Sequence, residues 1–514
     1  MWIADLARER PDAPAYVMAE GGTALTWRDL NERSIRLARL LARCGLGWGD
    51  HFAFLLGNEP EFVVACWAGQ RSGLYYTAIS TRFTPEEVAH VLTDSGARVF
   101  ITSPAVAGVA APLTALIPAS VERRFIVGGR LEGYGDGDAA LASEPAEPLP
   151  EEWEGQSMLY SGGTTGLPKG VKPFLLRRPA GEPMVPVEMY SALYRVPDAV
   201  VLLTAPLYHN AQMVPLIFSG RRGDTVVIMQ RFDPEATLAA IERHRVTWAQ
   251  FVPTMFIRML KLPEEVRHRY DLSSLRVAFH GAGPCPIEVK RQMIDWLGPI
   301  LLEYYGATEP VGGSFIDSHE WLAHPGSVGR STLGPAHILD EEGNELPPGQ
   351  PGLLYFEPPS WLTFGYHKDP ARTKAATSKQ GWVTVGDVAR LDEEGYIYLT
   401  DRASFTIISG GVNIFPQEVE NVLINHPGVY DCAVIGVPHP EMGEEVKAVV
   451  SLVPGTSPGP EVEQELIGYC RDRLAHYKCP KSVDFVDSLP RSETGKLFKK
   501  ELRASYWAGR DRAI

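Results

Sequence analysis

The sequence has little that would tie it to a membrane, a nucleic acid or an oxidising compartment. No run approaches the about 20 consecutive apolar residues that a membrane-spanning helix needs. The opening stretch Met1-Trp-Ile-Ala-Asp-Leu-Ala-Arg-Glu-Arg10 lacks the apolar core of a secretory signal. Basic residues are in deficit. The 49 Lys and Arg stand against 63 Asp and Glu, a formal net charge of −14, the wrong sign for nonspecific binding to nucleic acid or anionic lipid. Six cysteines (Cys44, Cys66, Cys285, Cys432, Cys470, Cys479) are scattered with no C-x-x-C pair. That excludes a disulfide framework and a zinc ribbon and suits a reducing cytoplasm. There are no internal repeats. Two nucleotide signatures are missing as well: G-x-x-x-x-G-K-[ST] cannot be placed, and no G-x-G-x-x-G follows a strand, which removes the Walker and Rossmann readings. The expectation is a soluble cytoplasmic protein with no nucleic-acid partner and no integral membrane association.

What is present is length and alternation. A chain of 514 residues exceeds the about 250–300 residues at which a single core stops growing. Up to about residue 310, short apolar runs alternate with helical periodicity: strands at His51–Leu56, Tyr75–Ser80, Val200–Thr204, Asp224–Met229, Val246–Val252, Leu275–His280 and Ile300–Tyr305, with helices between. Asp233-Pro234 reads as a cap followed by an N1 proline. This pattern implies α/β architecture with parallel sheets covered by helices. After about Gly326, turns such as Asp340-Glu-Glu-Gly-Asn344 punctuate short strands (Leu353–Glu357, Tyr396–Leu399), which reads as a β-rich subdomain. From about Phe405, a helix at Pro416–Leu423, strands at Cys432–Val437 and Val446–Val453, a helix at Glu461–Leu474 and a strand at Val483–Val486 suggest a small α+β domain. Two domains are expected, 1–402 and 403–514, the second a mobile lid. The Pro-rich stretch Glu144–Pro150 reads as a surface connection.

The apolar run Ser157–Tyr160 leads directly into Ser161-Gly-Gly-Thr-Thr-Gly-Leu-Pro-Lys-Gly170. Glycines let backbone N–H groups close around an anion, the hydroxyls of Thr164 and Thr165 donate further bonds, and Lys169 adds a charge. The combination suits a polyphosphate cradle better than the bland alternative of a glycine-rich surface turn.

This stretch resembles the phosphate loop of the adenylate-forming superfamily of acyl/aryl-CoA synthetases, luciferases and nonribosomal adenylation domains. The chain is most similar to the acyl-CoA ligases. Further motifs follow in that family's order over nearly the whole chain. The resemblance implies that Ser161, Gly163, Thr164, Thr165, Gly166 and Lys169 hold the phosphates of ATP. In Tyr304-Tyr305-Gly306-Ala307-Thr308-Glu309 it implies that Tyr305 stacks on adenine beside Gly306, that Thr308 bonds the α-phosphate and that Glu309 holds Mg²⁺, roles apt for an aromatic face, a hydroxyl and a carboxylate. Gly281-Ala282-Gly283 resembles a turn whose backbone approaches adenine and the acyl pocket. His209 resembles a gate bordering that pocket. Asp387 resembles the aspartate that accepts the ribose hydroxyls, and Arg402 the arginine contacting ribose and phosphate. Lys496, in Gly495-Lys496-Leu-Phe-Lys-Lys-Glu-Leu-Arg503, resembles the mobile lysine that reaches both the acid and the α-phosphate. Lys496, Thr165, Glu309 and His209 form the implied catalytic set. Gly410-Gly411 resembles the segment lining the pantetheine tunnel of coenzyme A.

The implied activity is ATP- and Mg²⁺-dependent activation of a carboxylic acid as an acyl-AMP, followed by transfer to coenzyme A. The sequence departs from the family pattern at Gly162, at Val412 and at the domain junction, where Ser404 and Phe405 replace the usual charged residues. Phe405 is expected to seek an apolar contact. These departures lie mostly where the second half-reaction is organised, so transfer to an amine or amino acid stays open, as do transfer to a carrier protein and a non-catalytic binding role. The acid expected is a bulky aliphatic, alicyclic or aryl monocarboxylate, since no cation is assignable to the pocket for a second carboxylate. A homo-oligomer is left open.

Overall fold

The computed structural model of the chain describes residues 1–161, 167–194, 196–309, 311–359, 364–402, 405–492, 495 and 497–508, with backbone alone at 161, 186, 190, 193, 194, 364, 401 and 402. The alternating apolar segments build two large sheets. In the first, strands Arg330–Ser331, Gly313–Asp317, Leu301–Gly306, Val277–His280, Trp248–Phe251, Val200–Leu203, Thr225–Ile228, Pro14–Met18 and Ala24–Thr26 lie side by side in that order. From Leu301–Gly306 to Pro14–Met18 every pairing is parallel. Val200–Leu203, Thr225–Ile228 and Val277–His280 are mainly apolar and mostly buried, as strands covered on both faces require. The second sheet, also parallel, runs Gly135–Asp136, Arg123–Ile126, Val99–Thr102, His51–Leu55, Tyr75–Ala78, Gln156–Ser157. The expected α/β class is the observed one. At Pro234–His244 the Asp233 side chain accepts from the Ala236 N–H at 2.8 Å, capping the helix as its sequence dictates.

One helix locks the two sheets together. Pro60–Ser72 is buried on nearly all sides, the condition of a helix with core around it rather than a solvent face. Phe62 packs edge-on against Phe54 of one sheet, and Trp67 donates its Nε1–H to Tyr16 of the other. The same interface holds buried charge. Arg71 pairs with Glu152 at 2.8 Å and also bonds Asn31 and Ser34, while Arg221 pairs with Glu154; the Arg221 and Glu154 side chains are 3% and 5% exposed. Trp2 lies across both guanidinium groups and donates to Glu152. The segment that leads to residues 156–161 is thereby tied to a helix from each sheet. The stretch 144–150 is strapped down rather than free: Arg36 donates to the Glu144 carbonyl and Arg39 to those of Glu147 and Pro148.

The β-rich region forms an antiparallel sheet, Ala336–Leu339, Gly352–Phe356, Asp387–Leu391, Ile397–Arg402. A short ladder joins Phe364–Tyr366, Lys169–Pro173 and Leu159–Ser161. The last sheet runs Val412–Ile414, Ile407–Ser409, Gly443–Leu452, Val429–His439, with Ser482–Phe485 parallel to Gly443–Leu452. Its core is built from its own strands and the helices Pro416–Leu423 and Pro460–Arg471. The long hairpin here exceeds expectation. Pro438 and Gly443 read as breakers, yet they sit at the hairpin's closed end, where Pro438 pairs opposite Glu444 and His439 opposite Gly443. Among the described residues no helix is long and apolar enough to cross a membrane.

Glu154→Ala leaves the buried Arg221 guanidinium without its carboxylate, and removing one partner of such a pair costs about 3–5 kcal/mol. The lowest unfolding transition in a thermal scan is expected to fall accordingly; a midpoint unchanged from the parent protein would show that the pair is not a structural tie.

Candidate active site

The parallel order of the first sheet decides where chemistry can happen. Leu301–Gly306, Val277–His280, Trp248–Phe251 and Val200–Leu203 are successive neighbours. Their carboxyl ends therefore open on one edge, where open α/β sheets bind ligands. That edge brings together Thr308 and Glu309, the 281–283 turn, Thr254, and His209. Asn58, from the turn after His51–Leu55 of the other sheet, clamps the rim. Its side chain donates to the Ala205 and Met229 carbonyls at 3.1 and 2.8 Å and accepts from the Leu207 N–H at 2.9 Å. His209 occupies the N-cap of helix Asn210–Arg222, its ring 4.4 Å from that of Tyr208.

The two glycines of the 281–283 turn differ. A β-carbon on Gly281 would meet the Tyr304 carbonyl at 2.4 Å, whereas one on Gly283 has only Pro253 Cδ nearby, at 3.9 Å. Between them Ala282 holds a left-handed backbone, φ +63°, a conformation an L-residue adopts only where its surroundings enforce it. Behind the turn, Lys290 pairs with Glu303 at 2.5 Å, and His280 lies 3.9 Å from the same oxygen. Burial pushes the His280 pKa well below its ordinary value, so the ring stays neutral.

The phosphate-loop candidate is closed by strand pairing. Ser161 stands opposite Lys169 and Val171 opposite Tyr366, so the two flanks of the segment pair with each other and the ladder's third strand carries Tyr366. Gly163, Thr164, Thr165 and Gly166 lie outside the described residues. The Tyr366 hydroxyl donates to Glu309 Oε1 at 2.8 Å. Burial, reinforced by that carboxylate, pushes the tyrosine's pKa up to about 12, which keeps it a donor. Helix Pro85–Ser95 buttresses the loop from below: His90 Nε2 meets the Pro168 carbonyl at 3.1 Å, and Asp94 accepts from the Tyr160 hydroxyl at 2.7 Å. Burial, then the charge of Arg372, lowers the Lys169 pKa.

Tyr305 and Asp387 meet. The tyrosine hydroxyl donates to Asp387 Oδ2 at 2.6 Å, and Asp387 stands opposite Arg402 at the start of an antiparallel pair. Gly306, next to Tyr305, is exposed. Among the described residues no group of three His, Cys, Asp or Glu could hold a metal on its own. One carboxylate, Glu309, held by Tyr366, is the donor set expected for Mg²⁺ that arrives on substrate phosphates; the residues fit that ion and not a standing metal centre.

The C-terminal part of the chain approaches this edge at Gly495. Arg491 bridges to Leu497 and grips Asp431 with two bonds of 2.7 and 2.8 Å, while its third nitrogen donates to the Gly495 carbonyl at 2.7 Å. Gly495 has φ +75°, and a β-carbon there would lie 1.9 Å from Thr254 Oγ1, so only glycine fits both the turn and the contact. Lys496, the next residue, lies outside the described residues. Gly410 and Gly411 form the tight turn between Ile407–Ser409 and Val412–Ile414, and a β-carbon on Gly410 would meet Met442, in the turn before Gly443–Leu452. Phe405 meets a cation where an apolar partner was expected: Lys499 Nζ lies 5.6 Å from its ring and also pairs with Glu420 at 2.8 Å. Ser404 lies outside the described residues.

Residues 3–367 match the family model for the AMP-binding enzyme, and residues 418–496 match the AMP-binding enzyme C-terminal domain. The chain belongs to the AMP-binding enzyme family. Feruloyl-CoA synthase of an Amycolatopsis species is 36% identical over 512 residues, spanning 98% of each chain. Among solved structures, ATP-bound MatB from Rhodopseudomonas palustris superposes with a TM-score of 0.82 at 28% identity, covering 98% of this chain and 99% of that one. The amide bond synthetase McbA from Marinactinospora thermotolerans gives 0.80 at 28% identity, with the same coverage. Within this AMP-binding enzyme, Tyr366, Asn58, Thr254, His90 and Asp94 contact the candidate segments and were not singled out from the sequence. The one available signal was His90 and Asp94 four apart on a single helix face.

Gly281→Ala is expected to destabilise the protein by about 1–3 kcal/mol through overpacking. Gly283→Ala should leave the melting temperature within the range of a neutral substitution and change which acids are accepted. Equal melting temperatures for the two variants would contradict the packing difference.

Proposed function

We propose that the protein is an AMP-forming carboxylate–CoA ligase with two half-reactions at one sheet edge. The observation that carries this reading is the frame around the loop. The Ser161–Lys169 pairing, the Tyr366–Glu309 bond and the Tyr305–Asp387 bond support a reading in which these segments would serve as phosphate cradle, metal carboxylate and nucleoside platform. Tyr305 would offer its ring to adenine and Asp387 its carboxylate to the ribose diol, with Arg402 beside it. Ser161, Thr164, Thr165, Lys169 and Thr308 would hold the phosphates. Mg²⁺ bound with ATP supplies positive charge at the phosphates, with Glu309 as its protein ligand.

In the first step an oxygen of the acid's carboxylate attacks the α-phosphorus, and the bond to the bridging oxygen breaks with release of pyrophosphate. Negative charge gathers on the α-phosphate oxygens, and Lys496, the residue after Gly495, would neutralise it. The lid, residues 403–514, then turns on the body, residues 1–402, withdrawing the lysine and presenting Gly410-Gly411. The thiol of coenzyme A attacks the acyl carbon and AMP leaves. His209 borders the acyl pocket with Gly283. The acid is a bulky monocarboxylate, and aryl acids are the first to test because a 36% identical relative is named for a feruloyl group. The cytoplasm is the proposed compartment. A second reading, transfer to an amine, draws on the departures at Ser404 and Phe405 and on the likeness to the amide bond synthetase McbA.

Lys496→Ala is expected to cut acid-dependent ATP–pyrophosphate exchange by roughly two orders of magnitude or more, while thioester formation from synthetic acyl-AMP is largely kept. Equal losses in both would reject the moving lysine. Mass spectrometry of products from an acid library with ATP, coenzyme A and amines decides the acceptor: acyl-CoA supports the ligase, and amides with no thioester replace it by the second reading.

A further inference from the structure

Helix Pro253–Leu260 touches the lid at both ends. At its start Thr254 receives Gly495. At its far end, about 12 Å away for eight residues at 1.5 Å each, Lys261 reaches across to a different sheet. Its ammonium donates to the Val429 carbonyl at 2.9 Å and to the Tyr430 carbonyl at 2.7 Å, and lies 4.9 Å from the centre of the Tyr430 ring. A lysine at a helix C-terminus ordinarily serves its own last carbonyls or water. This one is spent on the lid.

The lid is shaped to receive it. The pairing of Val429–His439 with Gly443–Leu452 shifts register between Val429 and Asp431. Tyr430 is therefore the extra residue of a bulge, and bulges re-aim the groups they carry. The next residue, Asp431, holds the Arg491 guanidinium in a two-bond grip, and Arg491 in turn fixes the Gly495 carbonyl next to Lys496. The contacts close a ring: helix, Lys261, the bulge, Asp431, Arg491, Gly495, Thr254, and back to the helix. Burial lowers the Lys261 pKa, and the Asp431 carboxylate opposes that shift.

We infer that Lys261 is a positioning residue for the adenylation step, a latch that seats the lid so that the Arg491 hairpin delivers Lys496 to the sheet edge. The inference rests on the two-step ligase reading. Rotation of the lid for thioester formation separates the bulge from the helix, so the latch acts in one lid position only. A contact present in one of two states shifts their populations by its full strength.

The test keeps the side-chain stem and removes the charge. In Lys261→Met, kcat for acid-dependent ATP–pyrophosphate exchange is expected to fall about ten- to hundredfold, the worth of hydrogen bonds from a charged donor. The KM for ATP and the melting temperature stay put, and thioester formation from synthetic acyl-AMP is unchanged or faster. Lys261→Arg, which keeps the charge and the donors, should recover most of the exchange rate. An unaltered exchange rate in Lys261→Met overturns the latch, as does an equal loss in both half-reactions. Absence of exchange in the unmodified protein with every acid tried is a different result: it sinks the ligase reading, and the latch with it.

Discussion

The nucleotide site proposed above depends on one short antiparallel ladder, Leu159–Ser161, Lys169–Pro173 and Phe364–Tyr366. Ser161 stands opposite Lys169 and Val171 opposite Tyr366, which fixes the two flanks of the phosphate-loop segment against each other. The ladder's third strand brings a tyrosine hydroxyl to Glu309, a residue delivered by a separate sheet. A slip of one residue in this ladder would turn Tyr366 to the other face and leave Glu309 without its donor. Helix Pro85–Ser95 guards that register from beneath through His90 and Asp94. The buried ion pairs of Glu152 and Glu154 fix the approach to it from the core.

The second constraint is direction. Parallel strands put every carboxyl end on one edge, so residues far apart in sequence, such as His209, Thr254, Gly281 and Glu309, share a rim without any long connection being needed. The lid reaches the same rim through contacts of another kind. The body contributes packed glycines, neutral buried His280 and hydrogen-bonded carboxylates. The lid meets it at Lys261, which donates to the Val429 and Tyr430 carbonyls, at Gly495 against Thr254, and where helix Pro416–Leu423 lies by strand Ile397–Arg402. Few contacts of that sort are strong, and all can be broken together. Contacts of this kind suit the turning lid proposed above, whereas a fixed domain would bury a broad apolar face.

Sequence reasoning reached the elements whose signals are local. Asp233-Pro234 caps a helix because both groups act within one turn. The helix Pro416–Leu423 has the expected bounds, and the strands of the parallel sheets announce themselves as apolar runs. The reasoning faltered where long-range partners decide. Pro438 and Gly443 look like interruptions until the hairpin that contains them is seen. Phe405 carries no sign that Lys499 will lie near its ring. The motif residues proposed for the site were picked out by their spacing along the chain. Tyr366, Asn58 and Lys261 were not, because each acts on a residue more than fifty positions away. Nothing in the adjoining sequence records such a partner.

The most direct examination of the account is a crystal structure with Mg²⁺ and a non-hydrolysable ATP analogue. The account predicts the adenine against the Tyr305 ring, the ribose hydroxyls on Asp387, the phosphates within the 161–169 loop, and the metal about 2.0–2.1 Å from a Glu309 oxygen. A nucleotide seated elsewhere, or a metal held without Glu309, would contradict it.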